Sequence, residues 1–178
     1  LMDCQKGKKI AASREFVDIG HILHEMRLIK QKEEIKIMKH AAQISAAAHC
    51  RAMRACRANM YEFEIQSEIE YEFRKAGAYS SAYPSIVAGG SNACILHYTE
   101  NNAPLRDGEL LLIDAGAEVD CYASDITRTF PINGRYNDEQ LELYRIVLSA
   151  QEAAIAEVRP GNTWNTPHEA AVRTLTEG

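Results

Sequence analysis

The sequence has no apolar stretch long enough to cross a membrane. Each uninterrupted run of apolar residues is far shorter than the ~20 residues that a spanning helix needs. The first residues, LMDCQKGKKIAASREF, also lack the apolar core of a secretory signal peptide. We therefore expect neither a membrane partner nor secretion, and we predict a cytoplasmic location.

The chain has no surplus of positive charge either. Twenty Lys and Arg residues stand against 25 Asp and Glu residues, which gives a formal net charge of −5. This balance offers no electrostatic attraction to nucleic acid or to an anionic lipid surface. With 46% apolar and 25% charged residues, the 178-residue chain has the composition of a soluble globular domain with a stub of a second one.

The cysteines contain no CxxC pair and are odd in number. They are Cys4, Cys50, Cys56, Cys94 and Cys121. Such a set is typical of free, small, half-buried thiols in a reducing compartment rather than of a disulfide framework. This agrees with the predicted cytoplasmic location.

Two helices are predicted in the first half of the chain, after a stretch (Phe16 to Met26) that suggests a short strand and a linker. The first helix has one stripe at steps of three and four, formed by Ile35, Met38, Ala42, Ser45, His49, Met53 and Cys56. In the second, Asn59 and Glu62 have the spacing of a capping box, and Gly77 suits its end. Its stripe is Ile65, Ile69 and Phe73.

Short strands and turns are predicted from Tyr79 to Phe130, followed by two more helices. The apolar runs YPSIVAGG and ACILHY and the hairpin LLIDAGAEVDCYASDITRTF supply the strands. Asn137 and Gln140 have capping-box spacing at the start of the next helix, whose stripe is Leu141, Tyr144, Leu148 and Ile155. A last helix is predicted from about Pro167 onward. The pattern predicts an α+β fold.

Two aspartates interrupt the apolar strands of the hairpin. If the strands fold back about Val119–Asp120, Asp114 and Asp125 lie directly opposite each other, with Cβ atoms roughly 5 Å apart. Two facing carboxylates repel each other unless a cation or a proton separates them. A divalent metal ion resolves this conflict, so the hairpin predicts a metal site.

Other interpretations of the two aspartates stay open on the pattern alone. One or both carboxylates can pair with Arg128, with Arg106 or with a backbone turn. Val-Asp is also a poor tight turn, because it lacks the Gly or Asn that a primed turn favours. A shift of register by one residue puts the two carboxylates on opposite faces of the hairpin.

Several ordered motifs resemble the aminopeptidase P and prolidase branch of the pita-bread metallopeptidases. They are ILHYTEN, LLIDAGAE and SDITRTFP, preceded by HEMRLIKQKEEIKIM. His97 lies seventeen residues before Asp114, which lies eleven before Asp125, as in that family. The resemblance covers nearly the whole chain from about His24. It implies a pita-bread catalytic domain over residues 26–178, with residues 1–25 as the end of an N-terminal domain and a linker.

The resemblance also implies an activity and a set of site residues. The expected protein is a metal-dependent aminopeptidase that releases the first residue from peptides with proline second. Asp114 and Asp125 match two ligands of a pair of divalent metal ions, with Mn²⁺ the preferred ion for oxygen ligands. His97 matches the histidine that contacts substrate, and Tyr83 matches a tyrosine beside the metals. A homo-oligomer is expected by family analogy.

The sequence departs from the family pattern by what it does not contain. The family's metal histidine and two glutamates follow the region that ends here at Gly178. We therefore expect a truncated fold, comprising the first half of a pita-bread domain and the opening helices of the second half, with little or no peptidase activity by itself. The alternatives are a prolidase-type dipeptidase and a catalytically inactive pita-bread binding protein; an unrelated α+β binding domain is a third class.

Overall fold

The computed structural model describes residues 18–178, which fall in two compact units divided after Lys36. The strand predicted from Phe16 begins outside the described residues. From Gly20 to Leu28 the chain forms helix α1, a helix that the sequence reading did not predict. After Ile22 this segment is rich in good helix formers, which favours the helix over a linker. The predicted domain boundary at residue 25 stays a prediction.

Helix α2 (Lys32–Ala55) buries a face that only partly matches the predicted stripe. Ser45 and His49 are buried as predicted, but Met38 and Met53 are 37% and 38% exposed. The buried positions between them are mostly small: Ala41, Ile44, Ala48 and Ala52. Alanines let the helix approach the neighbouring strand so closely that the Ala117 N–H donates to the Ser45 hydroxyl at 2.8 Å. Close approach, rather than side-chain size, selects this face.

Helix α3 (Glu62–Lys75) begins and ends near the predicted residues but has a different cap. Asn59 has a φ of +72°, and Glu62 is fully buried, so the predicted capping box is wrong. The N-cap is Tyr61, whose N–H donates to Glu64 Oε2 at 2.6 Å. The predicted stripe of Ile65, Ile69 and Phe73 is confirmed as core.

Within residues 18–178, six short strands form two antiparallel three-stranded sheets. They are β1 (Ser80–Ser81), β2 (Ile86–Gly89), β3 (Leu110–Ala115), β4 (Ala117–Val119), β5 (Tyr122–Ala123) and β6 (Ile126–Pro131). The strand orders are β1-β4-β5 and β2-β3-β6. One core joins α2 and α3 to both sheets, through residues such as Ile44, Ile65, Phe73, Val87, Leu111, Ile113 and Ala117.

The predicted strand in ACILHY is wrong. Residues Gly90–Cys94 form a 3₁₀ helix, and Ile95 and Leu96 after it are 56% and 87% exposed. His97 has a φ of +55°, which is incompatible with a regular strand. The segment instead leaves the sheet and forms an exposed turn.

The hairpin turns one residue later than predicted. Val119 pairs with Tyr122, and Asp114 pairs with Thr127 rather than with Asp125. The two residues at the turn, Asp120 and Cys121, both have positive φ, of 49° and 68°, as a type I′ turn requires. Asp114 and Asp125 stay on one face, because moving the turn by one residue displaces the cross-strand pairing by two.

Helices α4 (Asp138–Ala156) and α5 (Asn165–Glu177) pack against each other at the end of the chain. The capping box of α4 is confirmed: Gln140 N donates to Asn137 Oδ1 at 2.8 Å, and Asn137 N donates to Gln140 Oε1 at 3.1 Å. Its predicted stripe is only half-buried, and Ile155 is 62% exposed. Within residues 18–178, no helix combines the length and the apolar character that a membrane crossing demands.

Candidate metal centre

Tyr83 brings the two predicted aspartates together. Its hydroxyl lies 2.5 Å from Asp114 Oδ1 and 3.1 Å from Asp125 Oδ1. Asp114 is half-buried in β3, whereas Asp125 is exposed just before β6. One phenol therefore reaches both carboxylates, which confirms that they lie on the same face although they are not directly opposite.

A close backbone approach fixes the position of Asp125. A Cβ on Gly116 would lie 1.7 Å from the carbonyl oxygen of Ser124, so only glycine fits there. The Ser124 hydroxyl is buried and lies 2.8 Å from the Ser45 hydroxyl of α2. It also donates to the carbonyl of Ala117 at 2.9 Å. The residue next to Asp125 is thus held between the hairpin and a helix.

All four predicted site residues line one cavity of about 480 Å³. Its lining residues are Tyr83, Pro84, Ile86, His97, Thr99, Asp114 and Asp125. A larger cavity of about 620 Å³ lies elsewhere, near Cys56, Phe130 and Tyr136, and has no carboxylate or imidazole in its wall. Of these two cavities, only the smaller has carboxylate and imidazole groups in its wall.

The environment keeps the Tyr83 phenol protonated. Burial, and then the hydrogen bond and the negative charge of Asp114, raise the pKa of Tyr83 well above its ordinary value. A protonated phenol donates its hydrogen bond and partly offsets the repulsion between the carboxylates. This gives Tyr83 a defined place beside the two carboxylates.

His97 is exposed at the rim of the cavity. The next residue, Tyr98, is only 7% exposed and is bonded to the buried Glu62. Sequence reasoning missed Glu62, because its spacing from Asn59 was interpreted as a helix cap. The signal that could have found it is an acidic residue in an otherwise apolar stripe with Ile65 and Ile69.

The alternative of a simple ion pair does not hold for the aspartates. Among the residues that the structure describes, the ion pairs join Arg51 to Glu68 and Glu72, and Arg159 to Glu157. Arg128 instead donates to the carbonyl of Thr127. Neither Asp114 nor Asp125 is neutralised by an arginine in this part of the chain.

The donor set fits a divalent metal ion but does not complete its coordination. Two convergent carboxylate oxygens are ligands that hard divalent ions prefer. Within residues 18–178, however, no group of three or more His, Cys, Asp or Glu side chains is placed to hold a metal ion. The described residues thus offer two carboxylates and not a complete coordination shell.

The scaffold defines the class of the protein as an α+β pita-bread fold. Metallopeptidase family M24 matches residues 36–178, which is well over half of the chain. The chain belongs to metallopeptidase family M24, and its members work with divalent metals. An unrelated α+β binding domain, the third class considered from sequence, is thereby ruled out.

Two curated relatives and two solved structures to which the chain is similar are all aminopeptidases. The chain is 51% identical over 164 residues to the Xaa-Pro aminopeptidase of Haemophilus influenzae, covering 92% of this chain and 38% of that protein. It is 44% identical to the Xaa-Pro aminopeptidase of Escherichia coli, covering 100% of this chain and 41% of that one.

Among solved structures, Pseudomonas aeruginosa aminopeptidase PepP has a TM-score of 0.90 and 56% identity, over 91% of this chain and 37% of that chain. A glutamate-to-alanine variant of E. coli aminopeptidase P in complex with substrate has a TM-score of 0.89 and 46% identity, over 90% and 37%. The chain therefore spans about two fifths of the length of the H. influenzae and E. coli relatives.

Proposed function

We propose that this chain provides one half of the catalytic domain of an Xaa-Pro aminopeptidase, an enzyme that releases the first residue of a peptide whose second residue is proline. The observation that carries the proposal is the cavity in which Tyr83, His97, Asp114 and Asp125 meet. The similarity to bacterial Xaa-Pro aminopeptidases supports the choice of substrate.

Asp114 and Asp125 would hold divalent metal, and we propose two ions, with Mn²⁺ preferred because the ligands are oxygens. When bound, such ions supply Lewis-acid chemistry that polarises a peptide carbonyl and lowers the pKa of water. Tyr83 orients the two carboxylates through its hydroxyl, which lies 2.5 Å and 3.1 Å from their oxygens. The other ligands of the ions come from outside the described residues.

His97 is the group of this chain that is placed to contact the substrate. It lines the cavity together with Thr99, and it is exposed to an incoming peptide. A neutral imidazole there donates one hydrogen bond to the carbonyl oxygen of the bond that breaks, where negative charge develops. Pro84 and Ile86 give the same cavity an apolar wall.

The test uses the complete open reading frame that encodes these residues, assayed with Mn²⁺ on matched peptides. Cleavage of Xaa-Pro-Xaa peptides but not of Xaa-Ala-Xaa peptides supports the proposal. Cleavage of Xaa-Pro dipeptides alone would identify a dipeptidase instead, and absence of cleavage despite bound metal would identify a binding protein. Asp114→Asn, which removes one proposed metal ligand, should abolish the cleavage. Asp120→Asn, a change at an exposed position of the hairpin turn, is the matched control and should not.

Two further parts of the proposal concern the cell and the assembly. We propose a cytoplasmic location because the sequence has an odd number of cysteines and no CxxC pair, as is usual in a reducing compartment. Fractionation of the native host cells tests it. Self-association is proposed from the family alone, and light scattering of the purified protein tests it.

A further inference from the structure

Glu62 is a fully buried carboxylate with four hydrogen-bond donors. Its Oε1 accepts from Gly89 N at 2.8 Å and from Asn92 Nδ2 at 3.0 Å. Its Oε2 accepts from the Tyr98 hydroxyl at 2.8 Å and from Ala103 N at 2.9 Å. No ion pair found in the described part of the chain involves Glu62. These donors take the place of the cation that a buried carboxylate otherwise requires.

The four donors surround the segment that carries His97. Gly89 and Asn92 stand at its start, Ala103 at its end, and Tyr98 directly after His97. One carboxylate of helix α3 thus gathers residues 90–102 into a closed turn. The Glu62 N–H also donates to the Ala103 carbonyl at 3.0 Å, so side chain and backbone both hold the end of the segment.

Asn101 ties the same segment to strand β2. It is 2% exposed, and its Oδ1 accepts from Val87 N at 2.9 Å while its Nδ2 donates to the Ser85 carbonyl at 2.8 Å. β2 is an edge strand of its sheet. Glu62 and Asn101 therefore satisfy two N–H groups of that edge, on Gly89 and Val87, with side chains instead of a further strand.

His97 depends on this support. It is exposed, and its φ of +55° lies in the left-handed region, which a residue with a Cβ adopts rarely unless its neighbours hold it there. The residue that follows, Tyr98, is buried and bonded to Glu62. The direction of the imidazole into the cavity is thus set by contacts of its flanking residues.

We propose that Glu62 is a positioning residue for His97. Its carboxylate fixes residues 90–102 so that the imidazole stays at the rim of the cavity that holds Asp114 and Asp125. Glu62 does not line that cavity. The value of the positioning rests on the proposed function, in which His97 contacts the substrate.

The experiment compares Glu62→Gln with the unchanged chain by NMR of the His97 ring. Glutamine keeps the shape and one accepting oxygen, but its NH₂ group cannot accept from the Tyr98 hydroxyl and the Ala103 N–H. We expect the single His97 resonance to shift and broaden in Glu62→Gln. The control is Glu68→Gln on the same helix, where Glu68 pairs with Arg51, and it should leave the His97 resonance unchanged.

Tyr98→Phe decides the matter if Glu62→Gln does not fold, as judged by circular dichroism. It removes one of the four donors, so we expect the His97 resonance to shift in the same direction by a smaller amount. An unchanged His97 resonance in folded Glu62→Gln, or in Tyr98→Phe when the first variant is unfolded, would overturn the proposal.

Adding Mn²⁺ separates this proposal from the proposed function. In the unchanged chain, Mn²⁺ held by the aspartates should broaden the His97 signal beyond detection, and absence of broadening with bound Mn²⁺ would count against the proposed function alone. Glu62→Gln should keep Mn²⁺ affinity within about twofold, because it does not touch the aspartates. The contrary result is a Glu62→Gln variant that loses as much Mn²⁺ affinity as Asp114→Asn does while its His97 resonance stays unchanged. That result would show that Glu62 acts on the metal ligands and would overturn its assignment to His97.

Discussion

Asp114 faces Thr127, not Asp125, across strands β3 and β6. The two aspartates approach each other diagonally, and the Tyr83 hydroxyl lies between their Oδ1 atoms. A diagonal pair leaves more room between the carboxylates than a directly opposed pair does. The hairpin thereby presents two oxygen ligands to the cavity without forcing them into contact.

Gly116 is predicted to be irreplaceable. Gly116→Ala would place a Cβ 1.7 Å from the Ser124 carbonyl oxygen, so the hairpin or the chain before Asp125 must shift. We expect a loss of about 3 kcal/mol or more in the free energy of unfolding, above the usual range for overpacking. Urea denaturation measures it.

The control for Gly116→Ala is Gly108→Ala. Gly108 has a φ of +81° but no atom within 4 Å of its ideal Cβ, so we expect only the conformational cost of about 1 kcal/mol. A loss at Gly116 no larger than the loss at Gly108 would contradict a clash between the added Cβ and the Ser124 carbonyl.

Phe73 is predicted to anchor helix α3 to the sheets. It is 1% exposed and belongs to the main core, whereas Phe63 on the same helix is 50% exposed. Phe73→Ala should lower the free energy of unfolding by about 3–5 kcal/mol. Phe63→Ala should cost under about 1 kcal/mol, in line with surface positions. Thermal unfolding at equal pH compares them, and similar losses would contradict the assigned core.

Cys56 is predicted to be an unreactive thiol. Burial raises the pKa of the Cys56 thiol from 9.0 to about 11, and Arg57 opposes this only in part. At pH 8 the thiolate fraction is therefore about a hundredfold smaller than for a thiol with a pKa of 9.0. Iodoacetamide followed by mass spectrometry should modify the exposed Cys50, Cys94 and Cys121 well before Cys56.

The same shift makes stability depend on pH in the alkaline range. The folded chain holds the Cys56 proton more tightly than the unfolded chain does, so its contribution is complete below about pH 9. It declines as the pH rises toward 11 and is lost above that value. Cys56→Ala should flatten the decline between pH 9 and 11, while Cys121→Ser, an exposed control, should not.

The helices were the more predictable part of the fold, because their local signals agree with their packing. The stripe of Ile65, Ile69 and Phe73 and the Asn137–Gln140 cap depend on residues three or four apart. In α2 the prediction favoured Met38 and Met53 over Ala41 and Ala52, because large apolar side chains were expected to form the buried face. The helix instead lies so close to the sheet that its buried face consists mostly of small side chains.

The motifs name the residues of the candidate site, whereas its geometry could not be predicted from the sequence. Tyr83, His97, Asp114 and Asp125 were identified from motifs, and the structure places them on one cavity. The register of the hairpin strands was not predicted correctly. Its turn residues, Asp120 and Cys121, lack the glycine that marks a turn with two positive φ values. The strand expected in ACILHY was wrong because the contacts that bend it come from Glu62, on another element.

The most direct test of the metal centre is a titration of the chain with Mn²⁺, followed by the electron paramagnetic resonance signal of the free ion. With two carboxylate ligands, we expect weak binding, with a dissociation constant on the order of 10⁻⁴ to 10⁻³ M. Asp114→Asn and Asp125→Asn should each weaken it about tenfold or more, and Asp120→Asn should not. Binding that survives both substitutions, or that Asp120→Asn weakens equally, would contradict a metal centre at Asp114 and Asp125.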